Sequence, residues 1–338
     1  MPREHDYHPL TVAAVIDETA DARSFVIEIP PALAERFAYA AGQFCTFRAT
    51  IGGEPIVRCY SMSSSPDTGD PFTVTVKRVP GGKMSNWMND ALAPGDRIDV
   101  MPPSGLFVLR AAETPIVAFA GGSGITPVLS IIKTALVTTR REMALVYANR
   151  GPASIIFADA LERLRAGFGG RLSVHHHLDS ENGFLDAAAC AAFVGDRTHA
   201  DFYLCGPRPY MDVVAAGLER RGVDPGRLFI ERFELPTEAP AAGEASETES
   251  IVIRFGGRRH TVAYEPGDTI LEAARRVGLK PPFNCQAGNC GTCMAFLVDG
   301  KAKMCANNVL DAEELEEGWV LTCQAIPTSR EVEVDYDR

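Results

Sequence analysis

Four of the nine cysteines stand in a pattern that few structures can satisfy: Cys285-x4-Cys290-x2-Cys293, with Cys323 far downstream. Three thiols from one tight loop and a fourth from a distant element suit two irons bridged by two sulfides. Such a pair leaves four outer positions for soft ligands. Gly288 and Gly291 lie between the ligands, where small residues let backbone N–H groups approach the sulfurs. A zinc site normally pairs short spacings on both sides, and here the fourth cysteine stands alone. The assigned ligands of a 2Fe-2S cluster are therefore Cys285, Cys290, Cys293 and Cys323. Cys305, in KMCANN, does not fit the spacing and is expected to be a buried free thiol. An odd cysteine count, with four crowded between Cys285 and Cys305, argues against a secreted disulfide framework. It favours a metal site in a reducing cytosol.

The 338 residues suffice for two or three domains. A formal net charge of -11 does not suit a phosphate backbone, so nucleic acid is not an expected partner. No run of about 20 apolar residues appears, so membrane insertion is not expected. The N-terminal MPREHDYHPL lacks an apolar signal core. A cytoplasmic location follows as an expectation.

LTVAAVID, SFVIEI and FTVTVKR alternate apolar and polar residues, and Gly42, Gly52-Gly53, Gly81-Gly82 and Gly95 punctuate them. Short strands with turn signals predict an antiparallel β-barrel over residues 1–110. The pattern then changes. PIVAFA, MALVYAN, RLSVHHHL and DFYLCG read as buried strands; ITPVLSIIKTAL and SIIFADALERLRAGF read as helices. Their alternation predicts an α/β parallel-sheet domain over residues 111–235. PTEAPAAGEASETE, residues 236–249, has no apolar periodicity and reads as a linker. In residues 250–338, IVIRF and RRHTVAY flank Gly256-Gly257 as a hairpin. TILEAARRVG is a helix with a Thr269/Glu272 capping box and a stop at Gly278. His175-His176-His177 sits on a strand, where neighbours face opposite ways, so no metal role is expected there. Trp87 is expected to serve packing.

VRCYS, VTVKR, SNW, GSGITP, VYANR and CGP follow one another in the order found in the ferredoxin-reductase superfamily. Together with the C-terminal cysteines, they make the whole chain resemble oxygenase reductases that end in a plant-type ferredoxin domain. The resemblance implies a multidomain fold: an N-terminal antiparallel flavin β-barrel, an α/β nicotinamide domain and a C-terminal α+β β-grasp ferredoxin. It implies that Arg58 pairs with flavin phosphate, Tyr60 packs on the isoalloxazine, and Ser61 hydrogen-bonds near the nitrogen that receives hydride. Lys77 joins the cofactor contacts. GGKMSNWM resembles the second flavin segment and assigns Gly82, Lys83, Met84 and Ser85 to the pyrophosphate, which favours FAD over FMN. A helix start attracts anions.

In AGGSGITP, glycines let backbone approach a diphosphate, which assigns Gly121, Gly122, Ser123, Gly124, Thr126 and Pro127 to the nicotinamide cofactor. Cys205-Gly206-Pro207 resembles the second nicotinamide motif, with Cys205 near the hydride-donating carbon. Phe233 is nominated to shield the flavin, with Glu231 nearby; the catalytic set is Ser61, Cys205, Glu231 and Phe233. Arg150 falls where an adenine ribose would lie, and an Arg there could hold a 2′-phosphate. The neighbouring string favours NADH over NADPH. The implied activity carries electrons from NADH through FAD and the 2Fe-2S cluster to an oxygenase, of the Rieske hydroxylase type. The alternatives are the reductase of another oxygenase and a non-enzymatic redox sensor.

Overall fold

The computed structural model describes residues 7–233, 247–283, 286, 288, 291–307 and 309–338. The chain divides into two compact units. One comprises His8–Pro103 and Phe107–Phe233, and the other carries Glu234–Arg338.

The first unit opens with β1 (His8–Thr19), β2 (Ala22–Glu28), β3 (Phe44–Ile51), β4 (Glu54–Ser61) and β5 (Thr73–Lys77). Helix α1 (Lys83–Ala91) and β6 (Arg97–Val100) follow. All pairs are antiparallel, in the order β4-β3-β6-β1-β2-β5. A bridge from Met62 to Val74 brings the end of β4 against β5 and joins the two outer strands of the sheet. The alternation legible in FTVTVKR is realised in β5, where Val74 and Val76 are fully buried among Phe25, Phe47, Ile98 and Val100. Met84 and Met88, one helical turn apart on α1, join the same core. Trp87 packs at its edge.

The parallel sheet comprises β7 (Ile116–Gly121), β8 (Met143–Asn149), β9 (Leu172–Leu178), β10 (Asp201–Cys205) and β11 (Leu228–Glu231). It is laced by α2 (Ile125–Thr138), α3 (Ala158–Gly167), α4 (Asp179–Asn182), α5 (Ala187–Val194) and α6 (Arg208–Arg220). All seven residues of β8 are buried, as befits a strand covered on both faces. The order is β11-β10-β7-β8-β9. The chain steps outward from β7 to β9, then returns to lay β10 and β11 on the other side of β7. The crevice beyond the carboxyl ends of β7 and β10 is therefore the switch point, the place where such sheets take their ligands.

Helix α2 carries the contacts that tie this sheet to the barrel. The Ser65 and Thr134 hydroxyls lie 2.6 Å apart, Ser130 Oγ donates to Ser64 O at 2.6 Å, and Lys133 Nζ pairs with Asp70 Oδ2 at 2.8 Å. The stretch SIIFADALERLRAGF departs from its expected form as one helix. Pro152–Ser154 makes a single 3-10 turn, Phe157 takes a left-handed φ of 64°, and the helix starts at Ala158. Ile156 is fully buried and Phe157 nearly so, so packing of both against the sheet overrides local helix preference.

The second unit contains β12 (Ser250–Phe255), β13 (Arg258–Ala263), α7 (Ile270–Arg276), β14 (Met294–Asp299) and β15 (Ala302–Met304). It continues with α8 (Ala312–Glu317), β16 (Trp319–Leu321), β17 (Ala325–Pro327) and β18 (Glu331–Asp335). Its main sheet runs β13-β12-β18-β14-β16, with β12 and β18 parallel and the other pairs antiparallel. Helix α7 lays Ile270, Ala273 and Ala274 on Ile251, Ile253, Val332 and Val334. The capping box forms as its spacing requires: Glu272 N donates to Thr269 Oγ1 at 3.2 Å, and Thr269 N donates to Glu272 Oε2 at 2.8 Å.

Two expectations need correction here. The segment read as linker to residue 249 is already bound into this unit at its end. Thr248 Oγ1 donates to Ser329 O at 2.6 Å and Glu249 N to Arg330 O at 2.8 Å. The earlier part, 236–246, lies outside the described residues. Cys305 is exposed rather than buried. It follows β15, where Ala302 and Met304 pack against the core while the alternate positions Lys303 and Cys305 are exposed.

Candidate flavin, nicotinamide and cluster sites

Strand β4 ends in the Arg58-Cys59-Tyr60-Ser61 string. Tyr60 packs its ring 5.7 Å from that of Phe47, and burial pushes its hydroxyl pKa upward. Ser61 is 3% exposed, and its hydroxyl has no hydrogen-bond partner among the described residues. A buried hydroxyl left unpaired costs about 1–3 kcal/mol, so it marks a place built for a polar atom supplied from outside the chain. A flavin ring edge offers such atoms, and the residues present fit it. Arg58 is exposed and donates to Val57 O at 2.7 Å.

The second flavin segment is narrower in role than its letters suggest. Met84 is 1% exposed in the barrel core, so only its backbone can reach a phosphate. Ser85 Oγ accepts from Val79 N at 3.1 Å, and exposed Lys83 pairs with Glu54 at 2.6 Å. What α1 offers an anion is the N–H groups of its first turn, which begins after Gly82.

At the switch point the glycine loop and the end of β10 nearly touch. A Cβ on Gly124 would stand 2.1 Å from Cys205 O, so any side chain there would push the two motifs apart. Thr126 Oγ1 is turned back onto Ser123 O at 3.1 Å, and Pro127 is buried in the first turn of α2. Tyr210 was not singled out by sequence reasoning. Its ring underlies both Gly121 and Gly206, and its buried hydroxyl has no partner among the described residues. A tyrosine one turn into a helix gives no signal in sequence.

Cys205 and Glu231 stand side by side in register on β10 and β11. Glu231 is 4% exposed, and burial pushes its carboxyl up to about 8. The fully buried Cys205 thiol is raised by burial first and by the Glu231 charge second. Glu231 thus holds a proton near neutral pH inside the site. Phe233, two residues on, is 42% exposed.

Arg150 follows β8. Its Nη2 pairs with Asp21 Oδ2 at 2.8 Å, and Lys77 Nζ lies 3.8 Å from the same oxygen. Burial lowers the Lys77 pKa; the Asp21 charge opposes that and the Arg150 charge adds to it. Asp21, in the β1–β2 turn, was also missed by sequence reasoning, because nothing local distinguishes it from any turn aspartate.

In the second unit Cys293 and Cys323 are buried at 3% and 6%. Cys285 and Cys290 lie outside the described residues. Thr322 ties the two strands together: its N and Oγ1 both donate to Cys293 O, at 3.1 and 2.8 Å, and Tyr336 Oη donates to Thr322 Oγ1 at 2.8 Å. Gln324 Nε2 approaches Cys323 Sγ at 3.8 Å and also holds Gln286 O at 2.9 Å. Gly288 has φ +73°, and a Cβ there would meet Ala306 O at 2.7 Å. Buried thiols with an N–H donor aimed at sulfur fit a 2Fe-2S cluster. His177 Nε2 is bonded to Gly183 O at 2.8 Å, in a local loop contact.

Three family models match the chain in this same order. They are an oxidoreductase FAD-binding domain over residues 9–109, an oxidoreductase NAD-binding domain over 119–216, and a 2Fe-2S iron-sulfur cluster binding domain over 253–328. Fold and site define the class: an NADH-dependent oxidoreductase that uses FAD and a 2Fe-2S cluster. The chain is 39% identical over 344 residues to the ferredoxin reductase component of 3-ketosteroid-9-alpha-monooxygenase from Mycobacterium tuberculosis, covering 97% of this chain and 95% of that one. It belongs to the family of oxygenase reductase components that contains this relative. It is also 33% identical over 349 residues to a component of the 1,2-phenylacetyl-CoA epoxidase of Escherichia coli, covering 98% of each. Among solved structures, phthalate dioxygenase reductase matches with a TM-score of 0.62 at 24% identity over 99% of both chains, a likeness of fold.

Proposed function

We propose that this chain is the reductase of a ketosteroid-hydroxylating oxygenase of the Rieske type, working in the cytoplasm. The observation that carries the reading is the 39% identity, over nearly the whole chain, to a ketosteroid monooxygenase reductase, against 33% to the epoxidase component. That no helix among the described residues is long and apolar enough to cross a membrane agrees with it.

When bound, a flavin takes the two electrons of a hydride together and passes them on singly, which joins a nicotinamide to a one-electron cluster. The chain's own residues position and tune that exchange. Ser61 offers its unpartnered hydroxyl to the ring edge, Tyr60 covers a face, and Arg58 with the first turn of α1 holds phosphate. Gly121 to Gly124 and Cys205 to Pro207 border the crevice that admits the nicotinamide, with Thr126 and Pro127 fixing the loop. Glu231 holds a proton close by, and Phe233 screens the ring. Cys285, Cys290, Cys293 and Cys323 would hold the cluster, which would supply single electrons to the oxygenase.

Reconstitution tests the reading. NADH oxidation should couple to steroid hydroxylation when the chain is mixed with a ketosteroid oxygenase, and should couple more slowly to a phenylacetyl-CoA epoxidase. Faster coupling to the epoxidase would transfer the assignment. Failure to reduce cytochrome c with NADH would favour a sensor.

A further inference from the structure

We propose that Asp21, a barrel residue, makes the nucleotide site select NADH against its 2′-phosphorylated form by occupying Arg150. The inference rests on the nicotinamide reading of the switch point. Arg150 is the first residue after β8, the strand beside the glycine-loop strand β7. In doubly wound sheets this position lies at the adenine ribose, where an acid meets the 2′-hydroxyl or an arginine meets a 2′-phosphate. The chain carries the arginine, the residue type suited to phosphate, yet the guanidinium is already taken.

The geometry is specific. Asp21 Oδ2 receives Arg150 Nη2 at 2.8 Å and has Lys77 Nζ at 3.8 Å. Its other oxygen, Oδ1, accepts from Thr19 Oγ1 at 2.9 Å, which fixes the carboxylate in place. Lys77 also reaches the nucleotide loop: a Cβ on Gly122 would stand 3.7 Å from its Nζ. One carboxylate from the barrel thus serves both cations that border this end of the crevice. The Arg150 side chain is 74% exposed, and an exposed ion pair is weak by itself. Discrimination therefore comes from the pair acting together: the guanidinium is engaged, and the carboxylate that engages it brings its own charge. A 2′-phosphate that takes the guanidinium must displace Asp21 or lie beside it, and like charges at that range repel. A ribose hydroxyl is neutral and meets no such opposition.

The test is calorimetric binding of 5′-AMP and 2′,5′-ADP to the full chain with its flavin and cluster. Wild type, Asp21→Asn, Arg150→Gln and the double variant complete a cycle. The preference for 2′,5′-ADP over 5′-AMP should rise about tenfold in Asp21→Asn and fall back in the double variant, the size expected for one freed charge-assisted contact. Arg150→Gln alone should move it by less than about twofold. That single variant keeps the test decisive if Asp21→Asn folds poorly, since a large loss from it would mean that Arg150 is already free for phosphate, which overturns the proposal. An unmoved preference in Asp21→Asn would overturn it too, while leaving the nicotinamide reading intact if both nucleotides bind. Binding of neither nucleotide to the wild type would sink both.

Discussion

In the second unit Cys293 and Cys323 are assigned as thiols that would bond iron directly, and Thr322, Gln324 and Tyr336 tie together the two strand segments that carry them. In the first unit nothing bonds its cofactor in that sense. The flavin and nicotinamide sites consist of close backbone approaches at Gly124, the first turn of α1, and two buried hydroxyls, Ser61 and Tyr210, with no partner among the described residues. A covalent site fails as a whole when one ligand goes. A site made of shape and single hydrogen bonds degrades by steps. The two units should therefore answer mutation differently, and the same contrast governs which of them can be read from letters.

The largest effect should come from Cys323→Ser. Loss of an outer partner of a metal site costs roughly 10- to 100-fold, and loss of a ligand costs more. The visible absorbance of the cluster and NADH-dependent cytochrome c reduction should both collapse, while NADH still bleaches the flavin. A variant that kept its cluster spectrum would erase the contrast between the units.

Glu231→Gln sharpens it from the other side. Burial raises the Glu231 carboxyl to about 8, well above its unfolded value. The folded chain therefore holds this proton more tightly than the unfolded chain. That contribution is full below the unfolded value and is lost as the pH rises through about 8. Between about pH 5 and pH 9, denaturant midpoints of the wild type should fall relative to Glu231→Gln by an equivalent of roughly 3–5 kcal/mol. Parallel curves would place the carboxylate in a more polar setting.

Ser61→Ala removes one hydroxyl and leaves the flavin bound. Stopped-flow reduction by NADH should slow by roughly 100-fold, as expected when one preorganised donor is lost. An unchanged rate would deny the orphaned hydroxyl its role. The smallest effect belongs to Thr269→Ala, which deletes the capping box of α7, a local feature distant in kind from either redox site. It should cost about 1 kcal/mol in urea unfolding of the second unit and leave turnover alone.

The second unit was the more legible because its constraints are local or chemical. Thr269 and Glu272 form the expected box, and the cysteine spacing alone named the cluster. Cys305 is exposed because it falls in step with exposed Lys303, opposite the positions of Ala302 and Met304 that pack on the core, which cysteine spacing does not reveal. In the first unit, strands such as Met143–Asn149 were plain from their apolar runs. The break before Ala158 was not, because packing of Ile156 and Phe157 decided it. Asp21 meets Arg150 and Lys77, and Tyr210 meets Gly121, each across more than fifty residues of sequence, and no local pattern carries such contacts. Met84 and Ser85 were legible as a motif, but the division of labour between backbone and side chain appeared only with the core and the Val79 bond in place.

The central claim is that one chain accepts hydride and releases single electrons through its own cluster. Anaerobic titration of the purified holoprotein with NADH, followed by visible absorbance and by low-temperature electron paramagnetic resonance, tests it most directly. The expected result is uptake of about three electrons per chain, with flavin bleaching followed by the signal of a reduced 2Fe-2S cluster. A flavin that bleaches while the cluster stays oxidised through excess NADH would contradict it.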